Sequence, residues 1–486
     1  MSKSKYLNFI KIFIFLSPIP FGCIGKVFSP LFYLSLLLLS FIGLSVNDLK
    51  HFSNKKAVLF AFQNKIKYLV IIFFGFIVFQ LLPLPASLVK MVSPATTEKI
   101  LTLNGYLPNF VSLSLVPVET LLFALRMLTI FIFFFSFVRI NFKRKELVSV
   151  IKILIFSVSL QGLFGLIKYL TGNKFFFLIF HRVVNDPTKE FLTGTLGNPN
   201  HFAFYVEMVF PLLIALFFMR INLFNSTEGL RESFVSAFNA SRGVILIFVL
   251  IPFFGLIVIL TGSRSGIVTI VISFLIFALL TVYLRRAKAI RRKLKIIFVV
   301  LSLIVVFVGA KNTVNKFMKK DYFNNSGRFL RWPNTINMFK DHPIFGVGFG
   351  TYKYSFYLYD TDNSGTWSTN AHNEYLETLS EGGLIGSIIF LFLIGMLVYS
   401  VAKMWRSRRH PDIKILGIGI LTSLFVVFFH SIFDFSLRIP SNSFVLILLF
   451  GLGVQLATCR REFTEDGNRL RRNKVSSTQI DKGRIK

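Results

Sequence analysis

Twelve apolar runs of roughly membrane-spanning length recur along the chain, and this recurrence limits the fold more than any motif does. They lie near residues 7–24, 28–47, 68–88, 119–138, 147–170, 199–219, 243–261, 267–284, 296–310, 384–402, 415–434 and 443–458. A spanning helix needs about 20 apolar residues and tolerates about 17. In lipid the backbone must satisfy its own polar groups, so such runs are read as helices. The prediction is an all-α polytopic membrane protein of about 12 transmembrane helices, with the runs at 296–310 and 443–458 the shortest. A hydrophobic share of 54% over 486 residues agrees with that class.

Charge tests the topology. The formal net charge of +33 can suggest nucleic acid, but a membrane protein that collects Lys and Arg on its cytoplasmic face explains it better. No nucleic-acid partner is expected. With the amino terminus inside, one face receives Lys50, Lys55, Lys56, Lys65 and Lys67, then Arg139, Lys143, Arg144 and Lys145. It also receives the basic run 285–293, then Lys403, Arg406, Arg408 and Arg409, and the tail 459–486. An even number of spans keeps all of these together, with both termini cytoplasmic. The other face then carries 89–118, 171–198, 435–442 and the longest loop, 311–383. Long loops are uncommon unless functional, and Trp332, Pro333, Pro343 and Trp367 suggest a folded, partly helical cap between spans 9 and 10. The expected organisation is a bundle over 1–310, the cap over 311–383, three further spans over 384–458, and a basic, disordered tail over 459–486.

Cys23 and Cys459 fall on opposite faces in this topology, so no disulfide is expected. Gly22-Cys23 only faintly resembles a lipoprotein cleavage site, and the first apolar run is expected to stay as an anchor. No inverted pair of interrupted helices marks the chain as a secondary transporter.

Candidate chemistry concentrates on the non-cytoplasmic face. His372 begins the segment His372-Asn373-Glu374-Tyr375-Leu376-Glu377-Thr378-Leu379-Ser380-Glu381-Gly382-Gly383. Histidine is suited to proton transfer near neutral pH, and it stands here at a membrane boundary; a solvated loop histidine is the plainer alternative. Glu374, Glu377 and Glu381 share a helical stripe from which they would orient the imidazole, while Gly383 and Gly386 permit close helix contact.

Arginines form the second set. Arg264 sits in a tight break, Thr261-Gly262-Ser263-Arg264-Ser265-Gly266, where hydroxyls and free backbone N–H groups beside a guanidinium suit a phosphate; snorkelling is the alternative. Arg328 and Arg331 share one helix face, and Trp332, Met338 and Phe339 would let that helix rest on the bilayer. Arg126 lies inside a span, where a charge is a functional candidate by default unless it pairs with Glu119 or Glu207. Asp434 and Arg438 are a candidate ion pair, with His430 one turn earlier. Gly346, Gly348 and Gly350 lack the Lys-Ser/Thr of a phosphate loop, and Asp360-Thr361-Asp362 is too short to imply a metal.

Taken together, these motifs resemble those of the O-antigen ligase and O-antigen polymerase superfamily of bacterial membrane glycosyltransferases. The ligase signature fits His372-Asn373, Gly383 and Gly386; the Ser-Arg turn is similar to Ser263-Arg264. The family's Arg-x-x-x-Trp helix running into Pro-x-x-Gly-x-Gly resembles Arg328 to Trp332 followed by Pro343, Gly346 and Gly348. Gly197 to Ala203, containing Asn200, and His430-Ser431-x-x-Asp434-Phe435 are further points of likeness.

The resemblance implies a multi-pass protein of the bacterial inner membrane whose active site faces the periplasm. It implies a glycan donor on undecaprenyl pyrophosphate, an acceptor hydroxyl on lipid A–core, polysaccharide or protein, and neither cofactor nor metal. In that reaction His372 would serve as base, and Arg264, Arg328, Arg331 and Arg126 would bind pyrophosphate. Asn373, Glu377, Glu381, Ser263 and Asn200 would support them. Ligase, polymerase and protein O-glycosyltransferase share this chemistry. A non-enzymatic transporter of lipid-linked sugars is a competing class, which would line a path through the bundle with charge instead of gathering it at one end.

Overall fold

The computed structural model of the protein describes residues 1–46, 56–171, 191–220, 242–283, 327–360 and 369–458, with side chains of the helix beginning at Lys56 described from Lys65 and those of the helix beginning at Gly327 from Arg331. The expected span at 296–310, the basic run 285–293, the tail 459–486, Cys459, Trp367 and residues 361–362 lie outside the described residues.

Helices stand at the other eleven predicted runs. They are α1 (Lys3–Leu16), α2 (Phe28–Leu44) and α3 (Lys56–Leu81), then, after the short α4 (Ala86–Val92) and α5 (Pro94–Asn104), α6 (Pro117–Arg139) and α7 (Arg144–Leu170). Next come α8 (Pro199–Arg220), α9 (Arg242–Leu260), α10 (Arg264–Tyr283) and the cap helix α11 (Gly327–Asp341). The chain continues with α12 (Glu374–Arg406), α13 (Pro411–His430) and α14 (Pro440–Thr458). Among the described residues, eight helices are long and apolar enough to cross a membrane. The predicted run 443–458 belongs to a helix of 19 residues. By contrast α1 has 14, ending before Pro18 and Pro20, which is below the about 17 needed to span. A two-residue antiparallel pairing, β1 (Leu84–Pro85) with β2 (Phe110–Val111), is the described sheet.

Helix α8 is the axis of the bundle. Every residue from His201 to Phe218 is buried, and apart from His201, Tyr205 and Glu207 that stretch is apolar on all sides, as an enclosed helix is. Gly419 of α13 allows the closest approach: a Cβ there would stand 2.8 Å from the Ala215 Cβ. Small residues at such crossings let backbones meet in lipid.

Ion pairs and caps sort the two ends of the bundle. At one end Lys3 pairs with Glu146 at 3.1 Å, Arg144 pairs with Asp412 and Arg139 donates to the Leu44 carbonyl at 3.0 Å. The basic connections 139–145 and 403–412 therefore meet through Arg144 and Asp412, as their charge pattern predicted, and the amino terminus joins them through Lys3. The opposite end gathers the starts of α8, α10 and α12 and the end of α13. Helices α10 and α12 both start there.

A broken helix organises that second end. Inside α12, Gly383 adopts φ 60°, ψ −166°, a region open essentially to glycine alone. The break frees backbone groups that the segment after α11 satisfies. Val347 and Gly348 N–H donate to the Ser380 and Glu381 carbonyls, while Leu384 and Ile385 N–H donate to the Pro343 and Ile344 carbonyls, all at 2.8–3.2 Å. Gln80 of α3, fully buried, completes the seam: its amide donates to the Phe345 and Glu381 carbonyls and accepts from Phe349 N–H. Gly346 is needed because a Cβ there would lie 2.3 Å from the Glu381 carbonyl oxygen. The glycine run is thus a backbone seam. The predicted span at 384–402 accordingly belongs to a helix that starts at Glu374, on the far side of the break.

Two outcomes follow from this packing. Gly383→Ala meets both a forbidden backbone region and the Ile344 carbonyl, 2.4 Å from the new Cβ, so it should cost on the order of 3 kcal/mol. Gly395→Ala in the same helix, with nothing within 4 Å, should be neutral or gain up to about 1 kcal/mol. Unfolding midpoints in detergent compare the two. His342, buried at the end of α11 against the Ser93 and Thr96 hydroxyls, has its pKa pushed by burial from 6.5 to about 4. The folded protein therefore disfavours the charged ring. Its stabilising contribution is complete above about 6.5 and shrinks as pH falls toward about 4, by about 3 kcal/mol in all. His342→Asn should flatten the acid limb of midpoint against pH; an unchanged limb would contradict the assignment.

Candidate active site at the broken-helix end

His372 is held in an uncommon backbone state. Its φ is +53°, a left-handed conformation that costs a non-glycine residue of order 1–3 kcal/mol and is kept only when the surroundings enforce it. Those surroundings are well defined. Asn373 is the N-cap of α12, its Oδ1 accepting from Tyr375 and Leu376 N–H at 3.0 and 3.1 Å. Glu377 accepts from the Asn370 amide at 2.8 Å and from Ala371 N–H at 3.1 Å. Trp332 of α11 donates from its indole to the Ala371 carbonyl at 3.0 Å, and Glu374 N–H donates to the Ser431 carbonyl. The chain on both sides of His372 is fixed, and its imidazole is presented half-buried at the edge of the bundle.

Asp434 orients the ring. His372 Nδ1 lies 3.0 Å from Asp434 Oδ1, and the ring meets Phe435 edge-on at 4.7 Å between centroids. Asp434 is 1% exposed; it also accepts from the Ser436 hydroxyl, and His201 Nε2 of α8 stands 3.9 Å away. Burial alone would raise its carboxyl, but the hydrogen bond from His372 and the imidazoles of His201, His372 and His430 outweigh that. Together they hold it well below the usual carboxylate range. An ionised Asp434 fixes the proton of neutral His372 on Nδ1, leaving the Nε2 lone pair free for proton transfer.

This geometry corrects several expectations. The glutamates of α12 do not orient the imidazole. Arg438 grips all three: Nε at 3.4 Å from Glu374, and one terminal nitrogen at 3.5 Å from Glu377 and 2.8 Å from Glu381. Asp434 and Arg438 are not a pair, because three carboxylates in reach satisfy the guanidinium while the histidines satisfy the aspartate. Glu377 and Glu381 support the site indirectly, through Ala371 and through Tyr352 N–H, which donates to Glu381 at 2.9 Å. Trp332 and Met338 do not lie on a bilayer: one bonds to Ala371 and the other is buried beside Val347, Tyr352 and Phe356.

The arginines divide. Arg264 is the first residue of α10, half-buried, with Ser263 capping the helix by accepting from Gly266 N–H at 3.3 Å. Its neighbour Ser265 meets His430 Nε2 at 3.1 Å, and His430 stands at the end of α13, just ahead of Asp434. Ser265, which follows Arg264, and His372 therefore attach to the same stretch of chain, at His430 and Asp434. Arg331 precedes the tryptophan that touches Ala371; the side chain of Arg328, one turn earlier, lies outside the described residues. Arg126 lies in α6, electrostatically beside Tyr33 of α2. Among the described residues neither Arg126 nor Arg331 pairs with a carboxylate, so the expected partners of Arg126, Glu119 and Glu207, are excluded there. Asn198 caps α8, its Oδ1 accepting at 2.9 Å from the N–H of Asn200, the supporting residue expected there.

Residues 244–391 match the family model described as O-antigen ligase. Over those residues the chain is similar to the O-antigen ligase family, which supports the superfamily its motifs resemble. No curated protein matches the chain. The matched segment runs from α9 into the second half of α12 and holds Arg264, Arg328, Arg331, His372 and the Gly383 break. Asp434, His201, His430 and Glu207 lie outside it. Reading them as part of the site needed the fold, although each is a polar residue in or beside an apolar run, and that was the available signal.

Proposed function

We propose that the protein transfers a glycan from undecaprenyl pyrophosphate to an acceptor hydroxyl, acting as an O-antigen ligase-like membrane glycosyltransferase. The family's glycan-transfer chemistry supports the class. The observation that carries the residue-level reading is the His372–Asp434 dyad, placed where α8, α10, α12 and α13 converge. His372 Nε2 takes the proton of the acceptor hydroxyl as its oxygen bonds to the anomeric carbon. The bond from that carbon to the donor's phosphate oxygen breaks, and the electron pair leaves with the lipid pyrophosphate. The growing negative charge falls to Arg264, Arg328 and Arg331, since preorganised cations stabilise charge that develops in the transition state. Arg126 belongs to the same donor path, deeper along α6.

The acceptor is lipid A–core in the preferred reading; a polysaccharide or protein hydroxyl meets the same base and requires the same arginines. A transporter would need charge distributed through the bundle, whereas His372, Asp434, His430 and the Arg438 cluster gather at one end. The basic opposite end is assigned to the cytoplasm by the positive-inside rule, so the dyad faces the periplasm of the inner membrane, with both termini cytoplasmic.

Reconstituted protein with lipid-linked donor and candidate acceptors tests this. His372→Ala should remain folded and inserted while transfer falls about 10²–10⁴-fold, the usual worth of general base catalysis. Asp434→Asn, which accepts more weakly and no longer imposes one tautomer, should lower kcat about 10²-fold or more with little change in donor KM. Normal product yield from His372→Ala would remove the base.

A further inference from the structure

A second imidazole at this end is arranged like the first but points elsewhere. Glu207 of α8 and His430 of α13 meet at 2.8 Å between Oε2 and Nδ1, both side chains fully buried. The other ring nitrogen, Nε2, meets the Ser265 hydroxyl at 3.1 Å. Phe204 closes the ring edge-on at 5.1 Å. Ser265 itself is half-buried in the first turn of α10, adjoining Arg264, with the Ser263 hydroxyl 3.2 Å away. Gly266 makes room for the assembly: a Cβ there would stand 2.7 Å from Glu207 Oε1. A buried carboxylate and imidazole cost several kcal/mol of desolvation. Among the described residues the outlet of this pair is the Ser265 hydroxyl, on the residue that follows Arg264.

We propose that Ser265 contacts a phosphate oxygen of the donor, positioned by the Glu207–His430 pair. The assignment rests on the lipid-pyrophosphate reading above and adds a contact to it. His430 holds the Ser265 oxygen at one place on the rim, so that its hydroxyl meets the phosphate beside Arg264. The Ser-Arg-Ser-Gly sequence then has a function at each position: Ser263 caps α10, Arg264 supplies charge, Ser265 supplies a directed hydroxyl, and Gly266 admits Glu207. The dyad of His372 and Asp434 serves the acceptor; the relay of Glu207, His430 and Ser265 serves the donor.

The test uses full-length protein in detergent with farnesyl pyrophosphate as the probe of donor binding, and the complete lipid-linked donor for kinetics. Ser265→Ala should weaken probe binding and raise donor KM about tenfold, the worth of one hydrogen bond to a charged group, while kcat at saturating donor stays within about threefold. Ser265→Thr, which keeps the hydroxyl, should restore both. Glu207→Gln should shift KM in the same direction as Ser265→Ala and add little to it in the double variant, because the two act through one chain of contacts. Wild-type protein that binds the probe no better than Ser265→Ala overturns the assignment, as does a loss confined to kcat. A wild type that binds the probe through Ser265 but transfers glycan to no acceptor would instead overturn the transfer reading and leave the phosphate contact standing.

Discussion

A charge enclosed by apolar helices must be met by donors or by opposite charge, and at one end of this bundle every element is placed by that requirement. Asp434 is met by His372 from the start of α12, by His201 from α8 and by Ser436 from its own turn. Glu374, Glu377 and Glu381 are met by Arg438, and Glu207 by His430. Each link ties a different pair of elements, so the polar groups act as the fasteners of an interface that lipid cannot drive together by the hydrophobic effect. Removing one partner would strand the other in low dielectric, which makes the arrangement specific.

The same logic explains a helix broken where a span begins. A continuous α12 would present no backbone groups to its neighbours at Gly383. The break exposes carbonyls and N–H groups on both sides, and the segment 343–348 and Gln80 answer them. The cap helix α11 is thereby fixed to the membrane part of the molecule, and Trp332 reaches Ala371 because of it. A seam of backbone hydrogen bonds thus turns a loop far from His372 in sequence into its wall.

Much of this was legible in the chain itself, and the divisions are physical. Apolar run length located the helices, since lipid admits few alternatives, and the basic connections foretold which ends meet. Spacing could not reveal α1 stopping short: its apolar count extends across Pro18 and Pro20, which end the helix regardless of hydropathy. His372, Asn373 and Gly383 were legible as a motif, but their reasons were not. Asn373 is a cap, and Gly383 holds a backbone state that only coordinates display. The glutamates misled because a helical stripe shows which residues share a face without showing what faces them. Arg438 and Asp434 exchanged expected partners for that reason.

The two histidine pairs show how one end of a bundle can treat two substrates differently. Both rings give Nδ1 to a carboxylate and turn Nε2 away from it, so both are locked in orientation. Their environments differ in the property that matters. His372 is half-buried on a strained residue at the rim, where an acceptor can reach Nε2 and where the imidazolium formed by proton uptake is stabilised by a buried, ionised aspartate. His430 is fully enclosed, and its Nε2 is already occupied by a hydroxyl, so it can place that hydroxyl but cannot itself reach a substrate. An exposed nitrogen suits proton transfer and an enclosed one suits positioning. The division between the chemistry of the acceptor and the binding of the donor is therefore set by burial, with α13 carrying both functions within a single turn past its end.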